Sequence, residues 1–201
     1  IIDPNRRFQD RDNWVWIRDA DKNALVVGTQ CRILYQDALG RRDLALKFND
    51  MVRKGEIGPV MLGRDHHDTG GTDSPYRETS NIYDGSQFTA DMATQCYAGN
   101  AARGMSLIAL HNGGGVGIGK SINGGFGLVL DGSELTDQII RESIPWDTMV
   151  GVSRRNWARN EHSIETVAAY NKQFADSDHI TIPFVADDAL VEKTYKAAIS
   201  K

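Results

Sequence analysis

The sequence predicts an α/β fold, a sheet layered with helices, and three observations carry that prediction. Short apolar runs with strand character alternate with longer stretches in which apolar residues recur at helical spacing. The strand-like runs end at glycine or at polar loops, several helical stretches open on Asp, Asn or Ser, and one closes on Gly55. Glycine is also unevenly spread, with nine of the chain's 20 glycines lying between Gly113 and Gly132.

The elements follow in order. Trp14-Val15-Trp16-Ile17 is a short apolar run between charged stretches and has no clear assignment. Residues 24–27 and 33–35 are β-prone. Leu44, Phe48, Met51 and Val52 fall on one helix face, and Gly55 after Arg53-Lys54 is a stop signal. Residues 59–62 read as a buried strand ending at Gly63, followed by a polar loop to about Tyr83. Ser86 is placed to cap a helix that buries Phe88, Met92 and Cys96. Residues 105–110 form the next strand, then a glycine-rich loop, then a strand over 126–130 and a turn at Asp131-Gly132. Ser133 caps a helix with Leu135, Ile139 and Ile140 inside, and Asn160 opens another with Ile164, Val167 and Ala168 inside. Residues 180–184 have strand character weakened by Pro183, and Asp187 starts a terminal helix through Leu190, Val191 and Tyr195.

Composition narrows the function. The chain has 201 residues, 40% of them hydrophobic, enough for a real core. A formal charge of −4 and the lack of a Lys/Arg block argue against nucleic acid and against a membrane surface. No window approaches the ~20 apolar residues of a membrane span. The two cysteines, Cys31 and Cys96, are read as reduced thiols of a cytoplasmic protein. The chain opens Ile1-Ile2-Asp3-Pro4, without methionine, and stays charged through Asn13. Residue 1 is therefore expected to lie inside a longer polypeptide, with 1–23 a polar lead-in and 24–201 a core domain.

Two loops look built for chemistry. The first, Arg64-Asp65-His66-His67-Asp68 through Ser74-Pro75-Tyr76-Arg77-Glu78-Thr79, leaves the carboxyl end of a strand, where ligands of open α/β sheets bind. It crowds carboxylates, imidazoles and guanidinium groups together, which separates pKa values and so suits acid and base roles. A solvated loop with capping aspartates is the plain alternative. A metal site from His66 and Asp68, completed by Asp65, Asp73 or His111, is a sharper one, but no His-x-x-x-His or Cys-x-x-Cys pair supports it. The second loop is His111-Asn112-Gly113-Gly114-Gly115-Val116-Gly117-Ile118-Gly119-Lys120, continuing to Asn123-Gly124-Gly125. Such glycines let the backbone approach a ligand, and their N–H groups can form an anion nest. A tight structural turn is the plain alternative. Gly114 to Ser121 has the spelling of a P-loop, but Gly124-Gly125 breaks the helix that a P-loop requires, and no Rossmann fingerprint fits either.

These residues carry a family resemblance. Gly63-Arg64-Asp65-His66-His67-Asp68 resembles the Gly-Arg-Asp-His-Leu-Asp run of urocanases, and Ser74-Pro75-Tyr76-Arg77-Glu78-Thr79 resembles their Ser-Pro-Asn-Arg-Glu-Thr. Asp84-Gly85-Ser86 and His111-Asn112-Gly113-Gly114-Gly115-Val116-Gly117 fall where that family has Asp-Gly-Ser and His-His-Gly-Gly-Gly-Val-Gly. The match needs no gap from Arg64 to Gly117, extends back to about Gly28 and weakens after Gly132.

The resemblance implies the C-terminal part of the urocanase core domain and the hydration of urocanate to imidazolone propionate in histidine degradation. It implies NAD+ acting as an electrophile rather than as a hydride acceptor. Asp65, His66 and Asp68 would supply the proton transfers that hydration needs. Gly115 matches the family's NAD-contacting glycine, with Gly113, Gly114 and Gly117 shaping the loop. Arg77 would pair with the substrate carboxylate or a cofactor phosphate, or serve as a structural partner of Asp65 or Asp68. A homodimer, and a further N-terminal part of the enzyme carrying the NAD domain, are implied as well. Leu34 stands where many members have a cysteine implicated in catalysis, His67 replaces a leucine, and Asn112 replaces a histidine. Two readings of another class compete with this one: a metal-dependent hydrolase using His66 and Asp68, and a non-catalytic nucleotide- or anion-binding module built on the glycine loop.

Overall fold

The structure is a computed structural model of the chain, and it describes residues 3–5, 8–23, 36–64, 91–112, 122–176, 179–184 and 186–200. The predicted strands at 24–27 and 33–35 lie outside them. The chain divides into two compact units, Ile1–Gly151 and Val152–Lys201.

The first unit opens with helix α1, Phe8–Asp19, and the Trp14–Ile17 run is part of it. Its inward residues are polar. Asp10 and Asn13 are buried, and the Gln36 amide donates to the Asp10 carboxylate. Trp14 stays partly exposed, with the Arg18 guanidinium 4.3 Å from its ring centroid.

Helix α2, Ala38–Arg53, is capped by Asp37, whose carboxylate accepts from the Gly40 N–H at 2.7 Å. The predicted stop at Gly55 is a Schellman end. Gly55 has φ 70°, its N–H reaches the Val52 carbonyl, and the Glu56 N–H reaches the Met51 carbonyl. The predicted face is displaced by one residue. Leu44, Phe48, Met51 and Val52 are half-buried, and the fully buried positions are Ala45 and Asn49. A small residue and an amide there let the helix lie close to its neighbours.

Strands β1 (Val60–Arg64), β2 (Leu107–Asn112) and β3 (Ile122–Leu130) form a sheet in the order β1-β3-β2, with both pairings antiparallel. β3 starts earlier than its hydrophobic run suggests, because Gly124 and Gly125 lie within the strand. Between β1 and β2 comes helix α3, Asp91–Ala102. Its predicted cap at Ser86 and Phe88 fall outside the described residues, and Cys96 is a buried thiol.

Helix α4, Glu134–Trp157, begins as predicted at Ser133, whose hydroxyl accepts from the Thr136 N–H at 3.1 Å. It runs through Pro145, which lacks the N–H that would reach the Arg141 carbonyl. Burial on both sides of the proline, at Ile140, Ile144 and Met149, holds the helix together. Leu135, predicted to face inward, is 65% exposed, since it lies in the first turn ahead of the buried stripe.

The core joins Ala45 of α2, Phe126, Leu128 and Leu130 of β3, and Ile140 and Ile144 of α4, with Val60 and Leu62 of β1 packed against them. Gly99 of α3 admits the Trp146 ring so closely that a Cβ would sit 1.9 Å from it, and the Arg103 guanidinium lies 4.2 Å from the ring centroid on that side chain.

The second unit contains the end of α4 and helices α5 (Glu161–Gln173) and α6 (Asp188–Ile199). Here α4 ends in a Schellman motif with Arg159 at φ 65° in place of glycine. The Arg159 N–H reaches the Asn156 carbonyl, and the Asn160 N–H reaches the Arg155 carbonyl. Asn160 then caps α5 as predicted, accepting from the Ser163 N–H at 3.0 Å. Val167 is fully buried, whereas Ala168 is exposed, contrary to expectation.

Residues 180–184 form no strand. Their backbone is held by asparagine side chains instead: Asn171 donates to the Ile180 carbonyl and accepts its N–H, and Asn156 donates to the Thr181 carbonyl at 2.9 Å. Asp187 caps α6 as predicted, but Leu190, Val191 and Tyr195 are exposed.

Candidate active site

Asp65, His66, Asp68 and Arg77, and the glycines Gly113, Gly114, Gly115 and Gly117, all lie outside the described residues. The frame that presents them is described, and it begins with strand direction. β1 and β2 each run antiparallel to β3, so they are parallel to each other on its two sides. Their carboxyl ends, Arg64 and Asn112, therefore point the same way. Segment 65–90 leaves β1 at that end, and segment 113–121 closes the β2–β3 hairpin at that same end.

Register sets the offset between the two exits. The last pair of β1 is Arg64–Phe126, while β2 and β3 remain paired out to Asn112–Ile122. The hairpin thus overhangs β1 by roughly 13 Å, with β1 and β2 about 10 Å apart across β3. The two exits are on the order of 16 Å apart, a gap that connections of these lengths can span.

Helix α3 returns the first segment to this same region. The Ala93 carbonyl in its first turn lies 3.6 Å from where a Gly124 Cβ would be, and Gly124 pairs with Leu110 near the hairpin end. From there the helix runs back toward the start of β2 at Leu107. Segment 65–90 therefore begins and ends near the strand ends from which the glycine loop emerges. A Cβ on Gly124 would rest in ordinary contact with the Ala93 carbonyl and with the Ala109 carbonyl, the latter at 3.4 Å.

The opposite end of β3 is fixed by residues that sequence reasoning missed. Asn49 accepts from the Gly132 N–H at 2.8 Å and donates to the Ser133 carbonyl and the Asp137 carboxylate. Arg53 donates to the Gly132 carbonyl at 2.7 Å and pairs with Asp137. Gly132 has φ 84°, and a Cβ there would come 2.8 Å from the Arg53 nitrogen, so only glycine fits. These partners are more than 78 positions apart in the chain, so no local pattern could pair them. In the same turn, hydrogen bonds from the Ser133 N–H and from the Ser133 and Thr136 hydroxyls hold the Asp131 carboxyl down at about 2.

Among the described residues no His, Cys, Asp and Glu side chains gather as a metal site. The His66 and Asp68 metal alternative lies outside those residues. No helix among the described residues is long and apolar enough to cross a membrane.

Comparison with known proteins gives one consistent match. The model of the urocanase C-terminal domain matches residues 5–169. Urocanate hydratase of Mus musculus is 50% identical over 192 residues, which covers 94% of this chain and 28% of that protein. Urocanate hydratase of Homo sapiens is 49% identical over 186 residues, covering 92% of this chain and 27% of that protein. A probable urocanate hydratase of Caenorhabditis elegans is 51% identical over 183 residues, covering 90% and 27%. The chain spans a little over a quarter of the length of the curated relatives it matches. With the family model covering most of its length and about half of its residues identical over nine-tenths of it or more, this chain belongs to the urocanase family, in which it corresponds to the C-terminal domain.

Proposed function

We propose that this chain is the C-terminal part of a urocanate hydratase and contributes half of a composite site for the hydration of urocanate. The single observation that carries the site reading is the common end of the sheet. The polar segment beginning at residue 65 and the glycine segment beginning at residue 113 leave parallel strands at the same end. Half-identity to urocanate hydratases supports the reaction.

On this reading the layered core of residues 24–201 is the C-terminal part of the urocanase core domain, and 1–23 joins it to the rest of the polypeptide. The remaining N-terminal part, including the NAD domain, completes the site, and the assembled enzyme is a cytoplasmic homodimer. Gly113, Gly114, Gly115 and Gly117 hold NAD, which when bound supplies an electrophile for the imidazole ring of urocanate. A backbone without side chains suits such close approach. Asp65, His66 and Asp68 activate water and move protons, and Arg77 orients an anionic group of substrate or cofactor. Leu34, at the position of the family cysteine, can do no acid–base chemistry, so those steps fall to the 65–68 segment.

The test is Asp68→Asn in the full-length enzyme. Turnover of urocanate should fall by about 10²–10⁴-fold, with NAD content and circular dichroism unchanged. Near-normal turnover would remove Asp68 and the 65–68 segment from the chemistry. A stoichiometric metal with no NAD in the purified enzyme would overturn the hydratase reading itself.

A further inference from the structure

The sheet has a second face, and no helix among the described residues accounts for it. Because residues opposite one another in an antiparallel sheet share a face, the register assigns it. Val129 pairs with Met61, and Gly127 pairs with both Gly63 and Leu107. Gly125 pairs with Ala109, and the polar pair His111–Asn123 follows on this face at the hairpin end. None of the seven residues before that pair is charged or polar, in a chain that is 25% charged. The large ones are exposed: Met61 by 57%, Leu107 by 56% and Val129 by 42%. The small ones form a low bed, over which Met61 and Leu107 lean. A Cβ on Gly127 would meet the Met61 methyl, and would lie 3.3 Å from the Leu107 Cβ.

A contiguous apolar sheet face of this kind has the composition of the centre of an obligate interface. Both outer strands, β1 and β2, also lack a partner on their outer edge among the described residues. Edges and a face left this way are features that proteins normally cover. The amount of polypeptide available to do so is large, since this chain spans only a little over a quarter of its relatives' length.

We infer that this face is the seat of the remaining urocanase polypeptide, which packs an apolar element onto Met61, Leu107 and Val129. The inference rests on the composite-site reading above and makes it more definite. The helix-packed face holds the first unit together, and the opposite face fastens it to the part that completes the site. Since the loops leave the same sheet at one end, seating on this face would fix their position relative to that part.

Thiol labelling tests this. Val129→Cys and Leu107→Cys are each made in the 201-residue chain and in the full-length enzyme, and reaction with a small maleimide is timed against the unsubstituted proteins. The full-length enzyme should protect both positions at least about a hundredfold relative to the chain alone, with reactivity restored in denaturant. Rapid labelling in the native full-length enzyme would overturn the inference. Slow labelling in the chain alone that rises on dilution would assign the face to a second copy of this chain. Slow labelling at every dilution would mean that the chain covers the face itself, and either result overturns the inference too. Urocanate turnover by the unsubstituted full-length enzyme separates the two claims. Turnover with rapid labelling sinks the docking inference alone, and protection without turnover sinks the hydratase reading alone.

Discussion

On one side of the sheet, Phe126, Leu128 and Leu130 are buried against α2 and α4. One residue away at each step, on the other side, Gly125, Gly127 and Val129 belong to a face whose large side chains remain exposed. The same strand serves both, so intrinsic strand preference cannot explain the difference. Side-chain size can. The packed face carries branched and aromatic residues that fill space between sheet and helices, and the open face is glycine where its neighbours lean across. Alternation fixes the register as well, because a slip of one residue would exchange the two faces.

Substitutions can break this comparison in order of size. Leu128→Ala removes a fully buried side chain and should destabilise the chain by about 2–5 kcal/mol in a denaturant titration, whereas Val129→Ala, next to it, should change stability by no more than about 0.5 kcal/mol. Equal effects would mean that the two faces are not distinct. Gly99→Ala forces a methyl into the Trp146 ring and should cost about 1–3 kcal/mol, with loss of near-ultraviolet circular dichroism from that tryptophan. Asn49→Ala leaves the buried Gly132 N–H without its acceptor and should cost about 1–3 kcal/mol, mostly as faster unfolding if the turn closes late.

Arg159→Gly works in the opposite direction. It relieves a left-handed residue at the end of α4 and should stabilise the second unit by about 1 kcal/mol, read as a higher melting temperature.

The smallest effect is a pH dependence. Asp131 has a folded value of about 2, below its ordinary 3.8, so its contribution is complete above 3.8 and is lost as pH falls through about 2. Asp131→Asn should therefore lower stability above 3.8, and the gap from the unsubstituted protein should close near pH 2. A gap that persists there would show that the carboxylate charge is not its source.

Much of this was legible in the sequence, and particular residues show why. Helix starts at Ser133, Asn160 and Asp187 are local events, in which a side-chain oxygen meets an N–H a few positions ahead. The end of α2 at Gly55 is equally local. The core strand over 126–130 was visible because its large residues alternate with smaller ones. Burial that depends on distant partners was not visible. Leu135, Ala168 and the apolar residues of α6 fit helical spacing and yet face outward. Residues 180–184 read as a strand because of their β-branched residues, but asparagines took their backbone hydrogen bonds. Strand order was also beyond periodicity, and it is the strand order that sends the two candidate loops out of one end of the sheet.

The most direct measurement is a double-mutant cycle between the two loops in the full-length enzyme, using Asp68→Glu and Gly115→Ala and reading kcat/KM for urocanate. If the segments form one site, the double variant should depart from the product of the single effects by more than about 0.5 kcal/mol. Additivity within about 0.3–0.5 kcal/mol would place the loops in separate surroundings and contradict the account.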